Sequence, residues 1–300
     1  MSDYTVTFTN ANGITINFDD VNAGHALLGP VIDTHMPGVQ HTSKPAFGEQ
    51  GAVRIHTRIE TREVTVPVAV FGVQGTTFHS RMRTIASILD PTIGDGTLTV
   101  ERNGLGRSLT CRFQDGFGGE LHPNDSGPTD WWQGAITFVA FDPYWLDSDW
   151  NETEFRAASN TAFFTQPFLP LDRLNVGSTF ANLTVSVAGD APTWPLWTVT
   201  GPATNPAITD LTTGKKLNFS DSGGMTLADS TETLVVDTSP GVKTATRHYG
   251  GTAYNVFSSL TSDSSLFSLT PGNHTIRFAA TSPAGTTGLL IRYKQRYLAP

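Results

Sequence analysis

The 300-residue chain contains one cysteine, Cys111, so it has no internal disulfide and no zinc-type cysteine cluster. Cys111 falls within the alternating run Leu109, Cys111, Phe113 and reads as a buried structural thiol rather than a nucleophile. Charge is also scarce, at 15% of residues, and lysine is rarer than arginine. The formal charge of −8 argues against nonspecific nucleic-acid binding, which needs a basic surface. No apolar run approaches a membrane span, and Met1-Ser2-Asp3 does not open a basic-then-apolar leader. A soluble protein made in a cytoplasm, without membrane insertion, is expected.

Signatures of catalysis are missing as well. There is no Gly-x-Ser-x-Gly elbow and no phosphate loop, and Gly104-Leu105-Gly106 lacks the downstream glycine and helix of a dinucleotide site. The eight histidines are scattered; His35 and His41 read as solvated imidazoles rather than metal ligands. Asn124, Asp125 and Asp130 match no calcium loop and read as a polar turn. Asp142, Asp147 and Asp149 read as a solvated loop rather than a glycosidase pair. No enzymatic activity, cofactor or metal is expected.

Glycine, threonine, serine, asparagine and proline are abundant, which favours many short strands joined by turns. The expected fold is mainly β: two β-sandwich domains, the first carrying one α-helix. Tyr4, Val6 and Phe8 alternate, Asn10-Ala11-Asn12-Gly13 turns, and Ile14, Ile16 and Phe18 alternate again, which predicts a hairpin. Asn103-Gly104 predicts a second one. Residues Asn22 to Gly51 read as a long loop, either partly mobile or an arm reaching a neighbouring subunit.

From Ile55 the apolar phase runs Ile55, Thr57, Ile59 and then flips to Val64, Val66, Val68, Val70, which requires a bulge or break near Thr61 to Glu63. His56, Arg58, Glu60 and Arg62 read as a solvated face, and Pro67 confines the strand to an edge or irregular site. Thr77 to Leu89 predicts a helix with the stripe Phe78, Met82, Ile85, Ala86, Leu89.

The run Trp131 to Trp150 carries the most information. Trp132, Ile136, Phe138 and Ala140 share one strand face, and Trp131, Val139 and Phe141 share the other. A strand apolar on both faces is covered on both, by a second sheet or another subunit. Pro143 ends the ladder, and a domain boundary follows. The domains are expected at 1–150 and 178–300, joined by a linker over 151–177. In the second domain Trp194 and Trp197 flank Pro195. They read either as core plugs or as a platform for stacking sugar rings.

Three features point to a family. The first half closes on Phe138-Val139-Ala140-Phe141-Asp142-Pro143-Tyr144-Trp145, preceded by a sheet with one helix. The second half carries Gly189-Asp190-Ala191-Pro192, Val236-Asp237-Thr238 and Leu269-Thr270-Pro271-Gly272-Asn273, and ends in a tyrosine-containing strand. In this order they resemble the distal tail protein family of long, non-contractile-tailed bacteriophages. The resemblance implies a virion protein of the tail tip or baseplate, with a galectin-like or carbohydrate-module-like second sandwich. It implies a hexameric ring joining the tail tube protein to the tail-tip and receptor-binding proteins, with DNA passing through the lumen without specific binding. A glycan-binding adhesin module using Trp194 and Trp197 is the alternative.

Overall fold

The structure, a computed structural model, describes residues 4–45, 47–48, 50–73, 76–118, 129–156, 178–281 and 284–300. The polar loop expected from Leu121 to Asp130, with His122, Asn124 and Asp125, lies outside them except for its last two residues. So does 157–177, most of the expected linker. The fold is mainly β with one α-helix, as the composition implies. It divides into two compact units, Met1–Ser148 with Tyr297–Pro300, and Asp149–Arg296.

The first unit begins with β1 (Tyr4–Thr9), β2 (Thr15–Asn17), β3 (His25–Leu27), β4 (Val39–Pro45), β5 (Ala52–Ile59) and β6 (Arg62–Val73). After α1 (Thr76–Ile88) come β7 (Gly96–Arg102), β8 (Leu105–Asp115), β9 (Thr129–Ala140) and β10 (Trp145–Asp147). The main path runs β2-β1-β7-β8-β9-β6-β3. Strand β8 turns the corner: Leu105 to Cys111 pair with β7, and Arg112 to Asp115 pair with β9 across a register shift.

Both predicted hairpins form. Asn10 accepts the Asn12 and Ile14 amides on its side-chain oxygen at 3.1 and 3.0 Å, and Gly13 takes φ +80°. Asn103 and Gly104 both have positive φ, which matches the twist of β7 and β8. The helix packs on β6 through Phe78, Ile85, Ile88 and Leu89; Ala86, expected in the stripe, faces solvent. Asp90 then accepts the Thr92 amide at 2.8 Å and ends it.

The break expected after Ile59 is there, since β5 ends at that residue and β6 starts at Arg62. Pro67 accepts the Leu28 amide on its carbonyl, so its missing donor faces the side of short β3 rather than β9. The Asn22 to Gly51 segment is more ordered than expected, because it contains β3 and β4. Strand β4 was hidden by its sequence, Val-Gln-His-Thr-Ser-Lys-Pro, which has no apolar alternation.

The second unit opens on β11 (Asn151–Arg156), followed by β12 (Ser178–Val187), β13 (Leu196–Thr200), β14 (Ala203–Asp210), β15 (Lys216–Asn218) and β16 (Thr226–Leu227). It continues with β17 (Thr233–Asp237), β18 (Thr244–Tyr249), β19 (Thr252–Asn255), β20 (Gly272–Thr281) and β21 (Gly288–Tyr293). One sheet is ordered β11-β21-β13-β17-β18-β19, the other β12-β20-β14-β15 with β16 on β14. Both contribute inner residues to one core: Trp197, Val199, Leu234 and Ile291 from the first, Val185, Ile208, Ile276 and Phe278 from the second. The first six residues of the expected linker are thus a strand, paired with β21 in register Asn151↔Tyr293 to Arg156↔Gly288.

Candidate assembly surface

Strands β4 and β5 form a separate two-stranded ribbon. Every residue of β4 and most of β5 are exposed, and Phe47 at the tip is fully so. The register runs Val39↔Ile59 to Thr42↔His56, then shifts so that Ser43 opposes Arg54 and Ile55 is the bulged residue. Val39, Val53 and Ile55 stand in solvent. Residues 39–59 contain Lys44, Arg54 and Arg58 against a single acid, Glu49, so the ribbon is basic on a chain of net charge −8.

A buried arginine fixes the root of this ribbon. Arg62, expected on a solvated face, is 1% exposed. Its guanidinium donates to the carbonyls of Asp33 (3.2 Å), Thr34 and His35 (both 2.8 Å) just before the ribbon. It also donates to Pro143 and to Leu298, each at 2.6 Å. Burial pushes its pKa below the ordinary arginine value. Trp145, fully buried, covers the guanidinium at 5.9 Å and donates to Thr34 at 2.9 Å. The phase flip explains the correction, since Arg62 has the parity of the buried Val64, Val66, Val68 and Val70. That parity was the signal in the sequence, overridden by the residue's charge.

Strand β9 has the two faces its sequence implies. Trp132, Ile136, Phe138 and Ala140 are buried, whereas Trp131 is 38% and Phe141 67% exposed. Within the single chain the second apolar face is therefore open at both ends.

Of the pair expected as core plugs or sugar platform, Trp197 is 0% exposed and packs on Phe267 with ring centroids 5.4 Å apart. It has no face to offer a ligand, because β13 directs it between the two sheets. Trp194 is half-buried. Cys111 is buried, and desolvation raises its thiol to about 12, which leaves no thiolate for nucleophilic attack. Among the described residues no three His, Cys, Asp or Glu side chains gather as metal ligands. Nor is any helix there long and apolar enough to cross a membrane.

The second unit holds a buried polar knot at His274 and Asp210. His274 directs Nδ1 to Asp210 at 2.9 Å and Nε2 to the Thr270 carbonyl at 2.8 Å. Burial pushes the Asp210 carboxyl up, but hydrogen bonds from Thr213, His274 and the Thr212 amide outweigh it and hold the pKa below the usual value.

Residues 188–297 match the family model of the Siphovirus-type tail component, C-terminal domain. The chain is similar in structure to SPP1 Dit (gp 19.1), described as a paradigm of the hub adsorption apparatus in phages infecting Gram-positive bacteria. The TM-score is 0.66 and identity 15%, over 98% of each chain. It is also similar to the phage P2 baseplate in its activated conformation with Ca, with a TM-score of 0.58 and 12% identity over 99% of each chain. No curated protein sequence matches the chain. The family model and the full-length structural match bear out the resemblance to distal tail proteins.

Proposed function

We propose that the protein is a structural, non-catalytic component of a phage tail tip, and that copies of it close into a hexameric ring. The exposed β4–β5 ribbon carries this reading. A two-stranded ribbon exposed along most of its length is marginal in water, and one that presents Val53, Ile55 and Phe47 needs a surface to cover it. A second copy suits it, because the ribbon is basic and the rest of the chain strongly acidic. Trp131 and Phe141 add an exposed aromatic at each end of β9 on the same unit. A closed ring is the cyclic solution to such a head-to-tail contact.

The number six, the joining of tail tube to receptor-binding proteins, and a galectin-like second sandwich rest on the resemblance. An acidic lumen would pass DNA without holding its phosphates. The test is native mass spectrometry of the full chain across a concentration series, with Phe141→Asp and a variant whose residues 39–59 are replaced by a short Gly-Ser turn. The wild type is expected at six times 32.3 kDa and both variants at lower mass. A wild type that stays monomeric at high concentration and in tail particles refutes the ring.

A further inference from the structure

The inner face of the six-stranded sheet does not end where the core ends. Along β18 the side chains on that face pass from Ala245, buried in the core, through partly exposed Arg247 to Tyr249, 53% exposed. On β19 the directly opposed residues are Tyr254, across from Arg247, and Thr252, across from Tyr249. Directly opposed residues share a face, so these four side chains line one shelf at the sheet's edge. Tyr254 is 49% exposed.

The shelf is built rather than incidental. Glu232, at the foot of β17, is 1% exposed and accepts Arg247 Nε at 3.0 Å and Nη2 at 2.6 Å on one carboxylate oxygen. The Ala228 amide donates to the same oxygen at 3.1 Å. The guanidinium is thereby fixed, with its carbon 5.5 Å from the Tyr249 ring centroid. Its Nη1 has no hydrogen-bond acceptor among the described residues.

We propose that this shelf binds an uncharged saccharide, with Tyr249 and Tyr254 stacking on the apolar face of a pyranose and Arg247 Nη1 donating to a ring or hydroxyl oxygen. Glu232 cancels the Arg247 charge, so the shelf offers an anion no net attraction. What it offers is two amphipathic plates, one fixed donor, and the hydroxyls of Tyr249, Tyr254 and Thr252, each both donor and acceptor. A C–H face ringed by hydroxyls complements that set. Addition of a peptide strand to β19 fits less well, since an edge of four residues is the short kind that discourages pairing.

The test is saturation-transfer NMR of the full chain with the methyl glycosides of glucose, galactose, rhamnose and N-acetylglucosamine. At least one is expected to bind at millimolar concentration, and Tyr249→Ala or Tyr254→Ala to weaken it at least about tenfold. Trp150→Ala, at an exposed aromatic beside the opposite edge of the sheet, is expected to leave binding unchanged. Circular dichroism confirms folding, and Tyr→Ser at the same positions substitutes for any alanine variant that fails to fold. No transfer from any of the four glycosides overturns the proposal, as does undiminished transfer in a Tyr249/Tyr254 double variant. If the double variant loses only its incorporation into tail particles and the wild type binds no sugar, the shelf is a protein contact and the proposal fails.

Discussion

Replacing Arg62 tests whether one buried cation organises the root of the ribbon. Its guanidinium serves five carbonyls, and no carboxylate among the described residues pairs with it. In Arg62→Met the stem volume remains but the donors vanish. Thr34 keeps the Trp145 indole, and exposed Asp33 and His35 regain water. Pro143 is buried and is left unsatisfied, at about 1–3 kcal/mol. Losing charge-assisted bonds at the other carbonyls adds to this, while release of the buried charge returns part of it. A net loss of about 2–4 kcal/mol is expected for Arg62→Met, and about 3–5 kcal/mol for Arg62→Ala, which also opens a cavity. Lysine, a single point charge, restores only part of either. Urea unfolding followed by tryptophan fluorescence measures this; with two units the curve has two steps, and only the step belonging to the first unit shifts. Limited proteolysis of Arg62→Met is expected to cut near residues 33–38 before any other site. A variant within about 0.5 kcal/mol of wild type, with its ribbon root still resistant, refutes the anchoring role.

Other expectations follow from the same geometry. Trp197→Ala should cost about 3–5 kcal/mol in the second unfolding step. Trp197→Phe should cost less than Trp145→Phe, because the Trp197 indole N–H finds no partner among the described residues whereas that of Trp145 is bonded; a reversed order counts against both assignments. Asp210 has a folded pKa below its unfolded value near about 4, so its stabilisation is present above that pH and lost as pH falls through the folded value. Acid titration of Asp210→Asn should therefore show a shallower loss of stability below about pH 4 than wild type, from a lower neutral-pH starting point. Cys111 should react with a thiol reagent at pH 8 only after unfolding, and a fast reaction in the native protein would contradict its burial.

What the sequence revealed depended on whether burial left a period in it. The β9 alternation was legible because one face is a continuous core stripe from Trp132 to Ala140. The first two hairpins were legible because Asn10, Gly13, Asn103 and Gly104 are demanded by their turns. Strand β4 was not, since a ribbon exposed on both faces imposes no period. Nor was β11, whose sequence Asn-Glu-Thr-Glu-Phe-Arg has only Phe155 packed on the core. Residue type misled at Arg62, where parity pointed inward and charge outward. The shelf at Arg247, Tyr249 and Tyr254 was invisible because its members meet only through strand pairing and through Glu232, fifteen positions away from Arg247.

The contact between Arg62 and Leu298 spans 236 positions of sequence. On a ribosome the first unit's strands emerge long before the carbonyl that completes the Arg62 shell, and at ordinary elongation rates that interval is on the order of tens of seconds. Throughout it the ribbon hangs from an unfinished hinge. If copies assemble as proposed, a nascent chain is a poor partner for its siblings on the same message until Leu298 has emerged.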